Sequence, residues 1–211
     1  MLFIDSAVVE EVTQAVKLGF VRGCTTNPIL LSKVADAPDT VIKRLCQIVP
    51  GPVFYQLTGK TLPEREQEAR EFYQIAPDKI VLKIPATTEN LSLVTRLAPE
   101  IPCAATAVFS GHQTLLAIEA GCTYVIPYVN RATRLLGDGI KLIAEMAAVI
   151  QASGKPVELV AASVKSPEEA MRAFIAGAHH LTLPYDVLLA LGNHPLSDEA
   201  IAEFEKAAAR R

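Results

Sequence analysis

Short apolar runs and longer amphipathic stretches alternate from one end of this chain to the other. Strand-type runs fall at 2–5 (LFID), 20–24 (FVRGC), 53–56 (VFYQ), 80–84 (IVLKI), 102–107 (PCAATA), 123–127 (TYVIP), 157–161 (VELVA) and 179–183 (HHLTL). Helical patterns lie between them, near 7–18, 39–48, 61–75, 87–98, 110–119, 139–151 and 167–176. Pro63 and Pro167 suit a first helical turn, with Thr61 and Ser166 as the caps before them. Gly121, Gly154 and Gly177 stand where the corresponding helices should stop. After the last strand, Pro184-Tyr185-Asp186-Val187 leads into a short helix and Gly192-Asn193-His194-Pro195 into a final one at 198–210. The apolar positions of that final helix, Ile201, Phe204 and Ala208, form one stripe that must pack on its own barrel or on a neighbour's.

Eight strand–helix units predict a parallel sheet with both faces covered. Such a sheet either stays open or closes. An open sheet usually carries a glycine-rich turn after its first strand, but here that strand runs into Asp5-Ser6-Ala7 and no GxGxxG occurs. The GDG at 137–139 follows no strand directly and reads as loop chemistry. The count of eight favours an α/β fold of the (β/α)8 TIM-barrel type, one domain over 1–211 with an additional C-terminal helix.

Composition narrows the function. Apolar residues make up 50% of the chain and charged residues 20%, which is ample for a core. A net charge of -3 with no run of like charges argues against a nucleic-acid surface. The four cysteines, Cys24, Cys46, Cys103 and Cys122, are scattered without a CxxC pair, so reduced buried thiols are expected rather than a metal site or disulfides. The chain starts with a strand and has no apolar run near the ~20 residues that span a bilayer. A soluble, cytoplasmic protein without membrane or nucleic-acid partners is the expectation.

Lys83 stands inside the strand Ile80-Val81-Leu82-Lys83-Ile84-Pro85. A buried ammonium is costly unless it is paired or loses its proton. Desolvation frees the neutral amine near pH 7, and a neutral amine attacks carbonyls to form Schiff bases. Taken alone, this strand favours a lysine that snorkels to solvent or pairs with a carboxylate. The rest of the chain reverses that preference.

Active sites of such barrels lie at the C-terminal ends of the strands. The polar residues there are Asp5, Thr25-Thr26-Asn27, Gln56, Lys83, Thr106, Tyr128 with Asn130 and Arg131, and Ser163 with Lys165. Each has a structural explanation: Asp5 as a helix cap, Thr26 and Asn27 as a turn before Pro28, Thr106 as a satisfied strand threonine, Arg131 as a surface charge. Packing requires none of them, and seven of eight strands deliver one. A desolvated lysine among carboxylate, amide, hydroxyl and phenol groups fits carbonyl addition through an imine. Arg131 with Ser163 can hold a phosphate. Tyr128, Thr106 and Gln56 can hold one water as a proton shuttle. None of the histidines, His112, His179, His180 and His194, falls on this rim.

The runs Phe3-Ile4-Asp5, Gly23-Cys24-Thr25-Thr26-Asn27-Pro28, Val81-Leu82-Lys83-Ile84-Pro85, Thr106-Ala107-Val108-Phe109, Pro127-Tyr128-Val129-Asn130-Arg131 and Ala161-Ala162-Ser163 resemble the transaldolase family. The similarity covers essentially the whole chain and is greatest to the branch containing fructose-6-phosphate aldolase. It implies a class I, Schiff-base mechanism without metal or other cofactor, on sugar phosphates or small hydroxyketones and aldehydes. By that resemblance Lys83 forms the imine, Asp5 transfers protons, Asn27 holds a substrate hydroxyl, Thr26 also binds substrate, and Arg131 and Ser163 bind phosphate. It also implies a homo-oligomer, a pentamer or a decamer, with the C-terminal helix laid on the adjacent subunit.

Two positions separate the branches. Transaldolases carry glutamate at the end of the third strand and phenylalanine at the end of the sixth, whereas the aldolases carry glutamine and tyrosine. This chain has Gln56 and Tyr128. The expected reaction is therefore aldol cleavage of fructose 6-phosphate or a related dihydroxyacetone or hydroxyacetone aldol. Dihydroxyacetone transfer is the alternative, and a non-catalytic sugar-phosphate-binding barrel the reading from another class. Departures from the aldolases lie at Ala132–Gly137, Ala104 and Ile126, which flank the pocket; Arg134 is expected to pair with Asp138.

Overall fold

The computed structural model describes residues 1–209, and its eight parallel strands close into a barrel in sequence order. They are β1 (Leu2–Asp5), β2 (Val21–Thr25), β3 (Val53–Gln56), β4 (Ile80–Pro85), β5 (Cys103–Val108), β6 (Tyr124–Pro127), β7 (Glu158–Ala161) and β8 (His180–Leu183). The helices around them are α1 (Val9–Lys17), α2 (Pro28–Leu31), α3 (Pro38–Ile48), α4 (Leu62–Tyr73), α5 (Thr88–Leu97), α6 (Gly111–Glu119), α7 (Val129–Leu136), α8 (Gly139–Ser153), α9 (Pro167–Ile175), α10 (Tyr185–Ala190) and α11 (Pro195–Ala208). The arrangement is a (β/α)8 TIM barrel with a C-terminal helix beyond it.

The outer faces of the strands pack under the helices, where Ile4, Leu82 and Ile84 join one cluster with Leu45, Leu93 and Ile143. Phe3, Phe54, Val81, Ala104, Ile126 and Val160 form a separate cluster that plugs the barrel interior. Gly23 makes the plug possible: a Cβ there would lie 2.7 Å from the Phe3 ring. Side chains two positions apart on a strand share a face. The residues two beyond Phe3, Phe54, Val81, Ala104 and Ile126 are Asp5, Gln56, Lys83, Thr106 and Tyr128. The apolar plug is thus the floor on which a polar layer stands.

The predicted caps are present: the Thr61 and Ser166 hydroxyls accept from Glu64 N and Glu169 N. Gly121, Gly154 and Gly177 take positive φ at their helix ends. Asp5, by contrast, does not cap α1, whose first turn follows Val8 without a side-chain bond.

Some boundaries differ from the pattern. β2, β5, β6, β7 and β8 each start one residue later than expected, and α11 starts at Pro195 rather than at 198; Arg210 lies outside the described residues. The short α2 is hidden in the sequence because its signal is one proline after a capping asparagine. The stretch after Tyr128 is a helix, α7, to which the pattern assigns no element. Five of its eight residues, Arg131, Ala132, Arg134, Leu135 and Leu136, are good helix formers, but no capping side chain marks its start, and packing fixes its face by burying Val129 and Ala132. The GDG links α7 to α8: Gly137 ends α7 at φ 92, and Asp138 Oδ1 accepts from Ile140 N and Lys141 N. Asp138 is therefore a helix cap, and the expected Arg134–Asp138 ion pair is not formed among the described residues. None of the helices described is long and apolar enough to cross a membrane.

Candidate active site

At the carboxyl ends of the strands a cavity of about 460 Å3 opens, walled by Asp5, Asn27, Gln56, Lys83, Tyr128, Arg131 and Ser163 among others. Two further residues proposed from sequence, Thr26 and Thr106, are fully buried and stand behind this wall.

Lys83 is 3% exposed, and its Nζ donates to Thr26 O at 2.8 Å. Burial pushes its pKa below that of a free lysine, while the charge of Asp5 and the nearby Cys24 act the other way. The lysine pairs with Gln56 across the β3–β4 ladder, so both side chains enter the cavity from adjoining strands. Gln56 Oε1 is buried without a hydrogen-bond partner. An unpaired buried acceptor is costly, which makes this oxygen a ready partner for a ligand hydroxyl or a water.

Asp5 accepts from Thr25 Oγ1 at 2.8 Å, and Thr25 Oγ1 lies 2.6 Å from Thr182 Oγ1. When Asp5 is ionised, Thr25 must donate to it, so Thr182 donates to Thr25. Burial raises the Asp5 pKa; Lys83, the Thr25 hydrogen bond and Lys165 oppose that rise. Asp5 is therefore a carboxylate whose proton affinity depends on the state of the lysine.

The motif Thr25-Thr26-Asn27-Pro28 is a structural node. Thr25 holds Asp5, and Asn27 Oδ1 accepts from Leu30 N at 3.0 Å to cap α2. The Asn27 amide NH2 stays free to donate into the cavity. Thr26 behaves otherwise than expected. Its hydroxyl donates to Phe54 O at 2.8 Å and is absent from the cavity wall, so it does not reach a bound substrate.

Across the cavity, Tyr128 Oη lies 3.2 Å from Thr106 Oγ1. The edge of Phe109 and the Arg131 guanidinium, 5.1 Å above the ring, steady the phenol. Ala107 and Ser163 both line the cavity with positive φ, 54° and 58°. Strained backbone of this kind costs about 1–3 kcal/mol per residue and gathers at functional sites. At Ala107 it coincides with a shift of the β5–β6 register between Thr106 and Val108.

Thr25 and Lys165, rim residues to which the sequence assigns no role, both line the cavity. Two further residues are absent from the predicted rim: Lys33 on the wall and Thr182 behind Thr25. Lys33 lies in the turn after α2, where no periodicity marks it. Thr182 does carry a signal, being two residues beyond the inward-facing His180 on β8. His180 itself is at the far end of the barrel, stacked on Phe3 and paired with Glu158.

A family model described as Transaldolase/Fructose-6-phosphate aldolase matches residues 2–211. A relative from Methanococcus maripaludis (strain C5), described as "Probable transaldolase", is 41% identical over 203 residues, spanning 96% of this chain and 94% of its own. Relatives with the same description from Lactiplantibacillus plantarum and Clostridium perfringens are 40% and 37% identical, covering 96% of this chain and 93% and 94% of theirs. Among solved structures, a mandelate oxidase variant superposes with a TM-score of 0.63 at 16% identity, over 90% of this chain and 66% of that one. That likeness concerns the fold alone.

Proposed function

Because the chain belongs to the transaldolase/fructose-6-phosphate aldolase family, we propose that it is a class I aldolase cleaving fructose 6-phosphate, or a related dihydroxyacetone or hydroxyacetone aldol, through an imine on Lys83. The observation that carries the aldolase reading is the Tyr128 phenol, paired with the Thr106 hydroxyl behind it and lining a cavity that also holds the unpartnered Gln56 Oε1.

The chemistry starts with the neutral Lys83 amine adding to the C2 ketone, and loss of water leaves a protonated imine. Asp5 takes the proton of the C4 hydroxyl, the C3–C4 bond breaks and the aldehyde departs. The bonding pair flows into the imine to give an enamine. No external cofactor is required, because the iminium is the electron sink. Releasing dihydroxyacetone then needs a proton on C3, followed by hydrolysis. A water held between Tyr128, Thr106 and Gln56 supplies that proton. Asn27 holds a substrate hydroxyl, and Arg131 with Ser163 takes the phosphate.

Transaldolase activity is the second reading, favoured by the descriptions of the relatives. It would keep the enamine until an aldehyde acceptor arrives. Release of glyceraldehyde 3-phosphate from fructose 6-phosphate, with and without erythrose 4-phosphate and with Lys83→Ala as the blank, separates the two. Turnover without acceptor supports the aldolase, and turnover only with it supports the transferase. No reaction together with no borohydride-trapped adduct would leave a sugar-phosphate-binding barrel.

The same reading includes a cytoplasmic homo-oligomer, a pentamer or a decamer. Its support is α11, which buries no residue and leaves Leu196, Ile201 and Phe204 exposed. Sedimentation velocity of the full chain tests it; a monomer at micromolar concentration would exclude it.

A further inference from the structure

Thr26 joins three strands at the lysine. Its backbone N–H and its hydroxyl both donate to Phe54 O, at 3.0 and 2.8 Å, and its own carbonyl accepts from Lys83 Nζ at 2.8 Å. Thr26 and Phe54 are fully buried, and Lys83 is 3% exposed. The two bonds to Phe54 O hold the Thr26 side chain and the backbone on its N-terminal side, and the next peptide, which carries the Thr26 carbonyl, is tied at its far end by Asn27, whose carbonyl and side chain cap α2. Held from both ends, the Thr26 carbonyl points at Nζ.

We infer that Thr26 is a positioning residue for Lys83, its clamped carbonyl orienting the amine for attack and then holding the N–H of the imine. This rests on the imine reading of the site. An amine with one N–H tied to Thr26 O has its lone pair confined to directions away from that carbonyl, into the cavity. The lone pair forms the new N–C bond, the carbonyl π pair moves to oxygen, and proton transfer from nitrogen to oxygen completes the carbinolamine. Protonation and loss of that hydroxyl as water leave an iminium with a single N–H. The carbonyl that held the amine accepts this N–H in turn, a charge-assisted bond that favours the electron-accepting form. An unclamped carbonyl would let the flexible lysine stem sample other directions, and near-attack geometry would be lost.

The experiment is the rate of borohydride capture of dihydroxyacetone on Lys83, followed by mass spectrometry against pH, for the full chain and three variants. Thr26→Val keeps the shape and removes the hydroxyl half of the clamp; Thr26→Ser keeps the hydroxyl, and Thr26→Ala differs from Thr26→Ser only in lacking it. The charges that act on Nζ are Asp5 on β1 and Cys24 on β2, and the other titratable or charged groups on the cavity wall are Lys33, Tyr128, Arg131 and Lys165. Thr26→Val should lower the high-pH plateau of capture about tenfold, where the amine is neutral and only its orientation matters. The midpoint should move to lower pH, since a bond that favours the ammonium form is weakened. Thr26→Ser should stay within about twofold of the unaltered chain. If Thr26→Val fails to fold, the Ser–Ala pair decides the matter by the same plateau and midpoint. Plateaus and midpoints equal to those of the unaltered chain in Thr26→Val, or in both Ser and Ala, would overturn the inference and leave the imine reading intact. No capture on the unaltered chain would overturn both.

Discussion

Tyr128 and Thr106 bring their hydroxyls to 3.2 Å beside a strained, bulged turn in β5. Thr106 is fully buried behind the wall, so its hydroxyl serves Tyr128, whose own hydroxyl shares the cavity with Gln56. Tyr128→Phe should therefore cut acceptor-independent cleavage by about 10²-fold, the lower end of general acid–base effects. Transfer to an added aldehyde should survive. The measurement is the ratio of cleavage to transfer in one assay, and an unchanged ratio would remove Tyr128 from the proton path.

Lys83 and Asp5 titrate against each other. Burial lowers the lysine's pKa and the carboxylate raises it, so Asp5→Asn should depress it further. The pH–rate profile of imine capture should rise through a midpoint below the 10.5 of a free lysine, and in Asp5→Asn the midpoint should lie lower still. A midpoint moving upward in that variant would show that Asp5 is not the charge Lys83 feels.

Arg131 is the guanidinium on the wall, stacked on Tyr128 and sharing the cavity with Ser163. A charge-assisted hydrogen bond is worth about 1.5–3 kcal/mol, and ~1.4 kcal/mol is a factor of ten in affinity. Arg131→Ala should raise KM for phosphorylated substrates about 10- to 100-fold. The rate of capture of unphosphorylated dihydroxyacetone should change little. Equal losses on both substrates would mean that Arg131 acts by steadying Tyr128 instead.

Gly23 faces Phe3 in the plug beneath the site. Gly23→Ala places a methyl 2.7 Å from the ring, an overpacking that should cost about 1–3 kcal/mol in urea unfolding. Pairing it with Phe3→Leu should recover part of the loss, because the two changes share one space. A single variant as stable as the parent would mean that the plug has slack.

Much of the site is legible in the amino-acid sequence, for one geometric reason. The side-chain period of a strand is two, and barrel enzymes place chemistry at strand ends, so Asp5, Gln56, Lys83 and Tyr128 read as one rim. Thr26 does not read correctly. It is one residue out of phase with Thr25, and whether a hydroxyl meets a substrate or a neighbouring carbonyl depends on the inter-strand register. Lys33 escapes because it belongs to a turn, and its position on the wall comes from how α2 sits over the barrel mouth. The helix after Tyr128 escapes because it is short and has no capping side chain at its start, and its burial against α8 is a tertiary effect.

The sequence by itself determined the alternation of strand and helix, the closure count of eight, the buried lysine and the family, since these follow from local periodicity and motif spacing. Tertiary structure decided which side chains of the Thr-Thr-Asn-Pro motif face the cavity and which hold the frame. It also decided that Phe3 fits over Gly23, and that the Lys83 nitrogen rests on the carbonyl of Thr26, a residue itself tied to a third strand. These relationships join residues distant in sequence through directional hydrogen bonds and close packing, which arise only when the sheet closes.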